Sequence, residues 1–222
     1  LEPCSHHGRT PPCAEAIVKS GIAKVVIALE DPDPRVSGSG ISRLKEAGIE
    51  VITGLLEHEA AYQNRAFLFR VKTGRPWGTL KWAMTLDGRT ALSNGLSKWI
   101  SSKESRKYVH SLRSKFDAVI VGGETVRKDN PLLTSRGLRC PEPLRVVFTK
   151  TCDLPSDAQL WDTSVAETLI AHGPKNINSL HKLVGETNLI ELTSSSPLEL
   201  IKDLGCRGCN RVLWECGPRL AT

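Results

Sequence analysis

Two cysteines near the start of the chain, Cys4 and Cys13, bring the residue types with the most specific chemistry. Between them runs a polar loop, Ser5-His6-His7-Gly8-Arg9-Thr10-Pro11-Pro12, and Cys13 opens a helical stretch. Two thiolates and one imidazole can hold a zinc ion and leave its fourth position to water. The metal lowers the pKa of that water toward neutrality, so that hydroxide can attack an amidine carbon. A deaminating site of this kind also needs a Glu to shuttle protons, usually as His-x-Glu upstream of Pro-Cys. Pro3-Cys4 and the second Cys are present here, with no His-x-Glu ahead of them. An eight-residue gap is not a generic metal spacing, so spacing alone favours two free thiols. His6 and His7, adjacent on a polar loop, read as solvated or substrate-facing rather than as ligands.

Further along, Val119-Ile120-Val121 runs into Gly122-Gly123-Glu124-Thr125. Glycines after a buried strand let backbone N–H groups approach a phosphate at a helix start. Taken alone the pair reads as a tight turn, and no G-x-G-x-x-G fingerprint opens a helix here. Val212-Leu213-Trp214-Glu215-Cys216-Gly217-Pro218 places an acid and a glycine at another strand end, the edge where open α/β sheets collect ligands. Cys206-Arg207-Gly208-Cys209, with Cys216 close behind, has the beginning of a zinc knuckle but no fourth ligand follows.

The elements that must position these residues alternate. Helices are expected at Ala14–Ser20, Ile41–Ala47 (stopped by Gly48), Glu57–Phe69, Ser102–Arg113, from about Glu124, and at Leu198–Leu204. Strands are expected at Lys24–Glu30, Ile49–Thr53, Trp77–Thr85, Asp117–Val121, Arg145–Thr149, Thr168–Ala171 and Arg211–Cys216. Lys72-Thr73-Gly74-Arg75-Pro76 reads as a linker between domains at 1–73 and 76–222. Strands alternating with helices predict α/β layers with a largely parallel sheet in both parts.

Composition narrows the function class. At 222 residues, 40% hydrophobic and 24% charged, the chain can bury a core without disulfide or metal staples. No apolar run nears the roughly 20 residues of a membrane span, and no signal peptide opens the sequence. The start without Met and the closing Arg219-Leu220-Ala221-Thr222, like the first turn of a helix, suggest a piece of a longer protein. A net charge of +6 suits nucleic acid and phosphorylated small molecules alike. The basic residues are dispersed and only five Trp, four Phe and two Tyr could stack on bases, so nucleic-acid binding is disfavoured. Seven irregularly spaced Cys predict reduced thiols and a cytoplasmic site, or a plastid if the source is a plant.

Leu1-Glu2-Pro3-Cys4-Ser5-His6-His7-Gly8-Arg9-Thr10-Pro11-Pro12-Cys13-Ala14 resembles the deaminase signature of the bifunctional riboflavin-biosynthesis deaminase–reductases. Thr79 to Ala91, Gly95 to Ser101, Leu112-Arg113 and Thr125 to Thr134 resemble the reductase segments of the same family. The resemblance implies the C-terminal part of a cytidine-deaminase-like α/β/α domain followed by a dihydrofolate-reductase-like α/β domain. It implies zinc on Cys4 and Cys13, with the His ligand and the catalytic Glu before Leu1; Glu2 is not that Glu. Arg9 is then a contact for substrate phosphate. Of the reductase residues, Lys81 is implied to be catalytic. Ala83, Trp99, Thr125, Asp129 and Gly217 are implied to bind NADP(H). Ser97, Arg113, Leu132, Arg136 and Glu215 are implied to face the substrate, with Arg113 and Arg136 able to clamp its phosphate. The activity implied is zinc-dependent deamination of a diaminopyrimidine phosphoribosylamine. NADPH-dependent reduction of the ribose of 5-amino-6-(5-phosphoribosylamino)uracil follows it. A phosphorylated pyrimidine substrate and a homo-oligomer are expected, with no nucleic acid or membrane partner. The sequence departs from the family at Cys216, where Gly or Ala is usual, and at Arg219, where Thr is usual. Three rivals remain: a reductase with a metal-free, inactive deaminase domain, a nucleic-acid-editing deaminase, and a binding module without turnover.

Overall fold

The computed structural model describes every residue except Arg9, Asn94, 175–177, 186–187, Ser195, 218–219 and 221–222. The chain divides into two compact units, Leu1–Gly74 and Arg75–Thr222.

The first unit contains α1 (Cys13–Lys19), β1 (Lys24–Ile27), α2 (Ser39–Glu46), β2 (Glu50–Thr53) and α3 (Glu57–Thr73). β1 and β2 are parallel, with Lys24 opposite Glu50 and their side chains 2.9 Å apart. Ala14, Ile27, Ile41, Leu44 and Ile49 form its core. β1 ends sooner than the apolar run to Glu30 predicts, because the Leu29 carbonyl turns aside to accept the Glu2 N–H at 2.9 Å. α3 runs through Lys72 and Thr73, which the linker reading had excluded from it. It stops only where Gly74, at φ +70°, donates its N–H to the Arg70 carbonyl.

Glu2 is the unit's organising polar residue. Its buried carboxylate accepts N–H groups from Gly38 (2.9 Å), Gly40 (2.8 Å), Ile41 (3.1 Å) and Asp31 (3.2 Å). The first three are orphan donors of the α2 start, the Asp31 N–H coming from the loop after β1, and a negative charge there also complements the helix dipole. The backbone approach is so close that a Cβ on Gly40 would lie 1.8 Å from the Pro3 carbonyl oxygen. Gly40→Ala is therefore expected to cost about 3 kcal/mol, the upper end of overpacking, as a lowered urea midpoint. An unchanged midpoint would show that this packing is dispensable.

The second unit runs β3 (Trp77–Lys81), α4 (Lys103–Arg113), β4 (Ala118–Gly122), α5 (Gly123–Asp129), β5 (Leu144–Thr149), β6 (Thr168–His172), α6 (Asn178–Val184), β7 (Leu189–Glu191), α7 (Pro197–Cys206) and β8 (Arg211–Glu215). All six strands pair in parallel in the order β3-β8-β4-β5-β6-β7. Alternation along the strands feeds two cores. Val119, Val121 and Val147 pack with Val126 of α5 and Leu180 of α6, while Ala118, Ile120, Val146 and Phe148 pack with Leu200 and Leu204 of α7. Ser102 caps α4 by accepting the Ser105 N–H, and Ser196 caps α7 by accepting the Leu198 N–H.

β3 stops at Lys81, short of the expected Thr85, because Thr85 starts a turn in which its carbonyl accepts the Gly88 N–H. Arg145 at the head of β5 is wholly buried. Its guanidinium donates to the carbonyls of Leu160 (2.9 Å), Asp162 (2.9 Å) and Ala166 (2.6 Å). Among the described residues no helix is long and apolar enough to cross a membrane.

Candidate active site

In a parallel sheet every strand ends on the same edge, and ligands gather at the carboxyl ends of the strands. β3 and β8 are neighbours in register, so their last residues, Lys81 and Glu215, face one another across the ladder. Lys81 Nζ lies 3.8 Å from Glu215 Oε2, and the lysine side chain retains 31% of its exposure. The same carboxylate is gripped from α4. Arg113 Nε donates to Glu215 Oε1 at 2.6 Å and Arg113 Nη2 to Oε2 at 3.1 Å, a two-pronged pair with both side chains nearly buried. One carboxylate between two cations leaves an excess positive charge at the edge, which favours an anionic ligand.

Arg113 reaches further. Its Nη1 donates to the Thr134 carbonyl at 3.1 Å and lies 3.3 Å from His110 Nδ1. Burial, then the Arg113 charge, hold the His110 imidazole below its ordinary pKa. Below about pH 6.5 the unfolded chain therefore takes a proton that the folded ring resists, and stability falls as pH falls. His110→Gln is expected to flatten that part of a stability-against-pH curve measured in urea. A slope equal to that of the parent chain would contradict it.

A second group of the implied residues meets around the β4–α5 junction. A Cβ on Gly123 would lie 2.9 Å from Thr149 Oγ1, so this turn needs a glycine to pack against β5. Gly217 lies beside Thr125, whose hydroxyl would be 3.7 Å from a Cβ placed there. Close backbone approaches of this kind suit the phosphates of a dinucleotide. Asp129, at the end of α5, lies 3.6 Å from Lys98 Nζ. The neighbouring Trp99 is largely exposed and carries the Arg106 guanidinium 4.2 Å above its ring.

The remaining residues stand apart from these clusters. Ala83 is half-buried, while Ser97, Leu132 and Arg136 are exposed, the last at φ +59°. The sequence reading offered Arg113 to a phosphate, but here its fork is closed on Glu215, 102 positions away. Nothing local signalled that pairing. Cys216 is shut in by burial and by the Glu215 charge, which push its thiol up to about 11, so it is an unreactive neighbour. Cys206 faces solvent while Cys209 lies in the core, so this pair does not present two thiols to one metal.

In the first unit Cys13 opens α1 and its N–H lies 3.5 Å from Cys4 Sγ. The hydrogen bond to Cys4, then the Cys4 charge, push the Cys13 thiol up. No group of three His, Cys, Asp or Glu side chains forms a metal site among the described residues. His6 is partly buried and His7 exposed; Arg9, Pro218 and Arg219 lie outside the described residues.

The family model described as "RibD C-terminal domain" matches residues 76–222. The chain is 51% identical, over its whole length, to the riboflavin biosynthesis protein RibD of Synechocystis sp., and 41% identical to that of Aquifex aeolicus. The chain belongs to the RibD family. It spans only 61% and 63% of those two relatives. Among solved RibD structures, that of Acinetobacter baumannii superposes with a TM-score of 0.86 at 38% identity, over all of this chain and 62% of that one. A Thermotoga maritima protein superposes at 0.81 and 36% identity, over 99% of this chain and 61% of its own. That protein is described as a diaminohydroxyphosphoribosylaminopyrimidine deaminase/5-amino-6-(5-phosphoribosylamino)uracil reductase. The parallel α/β unit from Arg75 onward is thus the RibD reductase region.

Proposed function

We propose that this chain reduces the ribose of 5-amino-6-(5-phosphoribosylamino)uracil to the ribityl chain, with NADPH as reductant, in riboflavin biosynthesis. The observation that carries the reading is the Lys81–Glu215–Arg113 cluster at the carboxyl edge of the sheet, within the region the RibD C-terminal model covers. Thr125, Asp129 and Gly217, with Ala83 and Trp99, are the residues that would hold the cofactor. At Gly217 the Thr125 hydroxyl, 3.7 Å from where a Cβ would stand, is the nearest neighbour, which leaves backbone there open to that cofactor. When bound there, NADPH supplies the hydride.

The chain's own residues orient and protonate. Lys81 Nζ hydrogen-bonds the oxygen of the open-chain sugar and hands it a proton as the carbon is reduced. Glu215 holds that ammonium in place, at 3.8 Å. Arg136 and Ser97, both exposed, take the phosphate and sugar hydroxyls. In the first unit Cys4 and Cys13 would hold zinc as two of its ligands, and the metal would activate water for deamination of the preceding diaminopyrimidine. The approach of the Cys13 N–H to Cys4 Sγ, at 3.5 Å, supports this pair by bringing the two residues together.

Mixing the purified chain with NADPH and the aminouracil phosphate is expected to consume the cofactor and give a product heavier by two hydrogens. NADPH binding without consumption would overturn the reductase reading in favour of a binding module. An intact RibD protein carrying these residues that purifies without bound zinc and still shows full reductase activity would favour the reading with an inactive deaminase half. We further propose a homo-oligomer located in the cytoplasm, with no nucleic-acid or membrane partner. Salt-dependent oligonucleotide binding would count against that.

A further inference from the structure

We propose that Glu142 is a positioning residue that aims Arg136 at the substrate phosphate by clamping the backbone on either side of it. This rests on the reductase reading above, which gives Arg136 the phosphate, and adds one residue to that site. Arg136 stands in the connection from α5 to β5 at φ +59°, and Gly137 follows at φ +79°. Left-handed backbone comes freely to glycine and at a cost to arginine, so contacts around Arg136 must hold it there. Glu142 supplies them. Its Oε2 accepts the Ser135 N–H at 2.6 Å and its Oε1 accepts the Gly137 N–H at 2.8 Å. One carboxylate thus grips the chain just before and just after Arg136.

The clamp is itself anchored. Glu142 lies between Pro141 and a buried Pro143, directly ahead of β5, which starts at Leu144. A following proline confines Glu142 to extended backbone. Burial would push its carboxyl up, but the Gly137 and Ser135 N–H groups, the Ser135 hydroxyl and the Arg113 charge together bring it below its ordinary pKa. The clamp is therefore ionised at neutral pH. Ser135 is wholly buried, and its hydroxyl accepts the Arg139 N–H at 3.1 Å. Arg139 in turn donates to the Phe116 carbonyl and to Asp117 Oδ1, the latter at 3.2 Å. The Arg136 side chain is exposed, so its direction is set by the backbone that carries it. Fixing that backbone in advance removes an ordering cost from phosphate binding.

The test uses the intact chain and compares the aminouracil phosphate with its dephosphorylated analogue. Calorimetry gives Kd for each, and NADPH oxidation gives kcat and KM. Glu142→Ala removes both acceptors and is expected to raise Kd and KM for the phosphate ester about fivefold or more. The analogue, and kcat at saturation, should stay within about twofold of the parent. Glu142→Gln keeps an amide oxygen for one N–H and should fall between the two. In an Arg136→Ala background Glu142→Ala should add little, because the clamp then has nothing to aim. Amide exchange supplies a readout free of activity: Ser135 and Gly137 should exchange faster in Glu142→Ala and not in Arg136→Ala. Equal losses for both substrates, or a loss that adds in full to that of Arg136→Ala, would overturn the proposal by making Glu142 a general support of the fold. Tighter binding of the phosphate ester in Glu142→Ala would overturn it as well, since the carboxylate would then be competing with phosphate for the two N–H groups. If the alanine variant does not fold, Glu142→Gln carries the same comparison. Absence of NADPH consumption by the parent chain would overturn only the reductase reading, because binding and exchange still decide the role of Glu142.

Discussion

Arg145→Ala is expected to lose about 3–5 kcal/mol of stability in urea unfolding; the Arg145 Nη1 reaches the Leu132 carbonyl at 3.5 Å, while its closer partners lie outside the candidate site. Arg145 is fully buried, and its charge is balanced by the carbonyl dipoles of Leu160, Asp162 and Ala166. Burial pushes its pKa down, yet a guanidinium starts so high that it stays charged. Removing it takes a donor from all three carbonyls, of which Leu160 keeps the Thr168 hydroxyl at 2.7 Å and Asp162 the Val165 N–H at 3.4 Å, and opens a hole beside Leu160, a core residue. Arg145→Met refills most of that volume and returns none of the donors. The methionine variant is therefore expected to recover only part of the loss, which separates the hydrogen-bond contribution from the cavity. A loss below about 1 kcal/mol in the alanine variant would mean that the 160–166 segment satisfies its own carbonyls by rearranging.

Lys81→Ala carries the largest expected effect on turnover. Removing a positioned proton donor lowers rates by about 10²–10⁴-fold. The loss should fall on kcat, because Lys81 acts most strongly as negative charge develops on the sugar oxygen. NADPH affinity should change little, since Thr125, Asp129, Gly217, Ala83 and Trp99, the residues proposed to hold it, all remain in this variant. Glu215 remains paired with Arg113 in this variant, so its charge is not stranded and the sheet edge should stay folded. Rapid-mixing measurements of NADPH oxidation check it. Parent-like kcat in a folded Lys81→Ala protein would remove lysine from the chemistry.

Much of the architecture could be read from residue order. Val119 to Val121 before two glycines, and Arg211 to Glu215 before another, are strands that end at the candidate site, as alternation and turn chemistry require. The extents were less legible, because Leu29 and Thr85 are withdrawn from their strands by distant or turn partners that no window of sequence contains. α6 and β7 escaped the sequence reading. Leu180, Leu183 and Val184 do have helical spacing, but the polar surroundings dilute it, and β7 is three residues long. The roles of Glu2 and Arg145 come from tertiary packing. A lone Arg in the apolar run Leu144–Thr149 was the single available sign. Glu215 showed as an acid at a strand end, Lys81 was nameable only through resemblance to a family, and their adjacency follows from a register that pairs residues 134 positions apart.

The strand order also has a temporal side. Among the described residues β3 is bonded within the sheet to β8 alone, and β8 follows β4–β7 in the chain, so it leaves the ribosome after them. Until residues 211–215 are made, the piece bearing Lys81 has no bonded neighbour in the layer that bears Gly122 and Thr149. Insertion of that central strand therefore unites the two halves and delivers Glu215 in the same event. Nascent chains halted before that point should hold a structured β4–β7 layer beside a protease-sensitive Trp77–Lys81 segment, so that competence for chemistry arrives abruptly, late in synthesis.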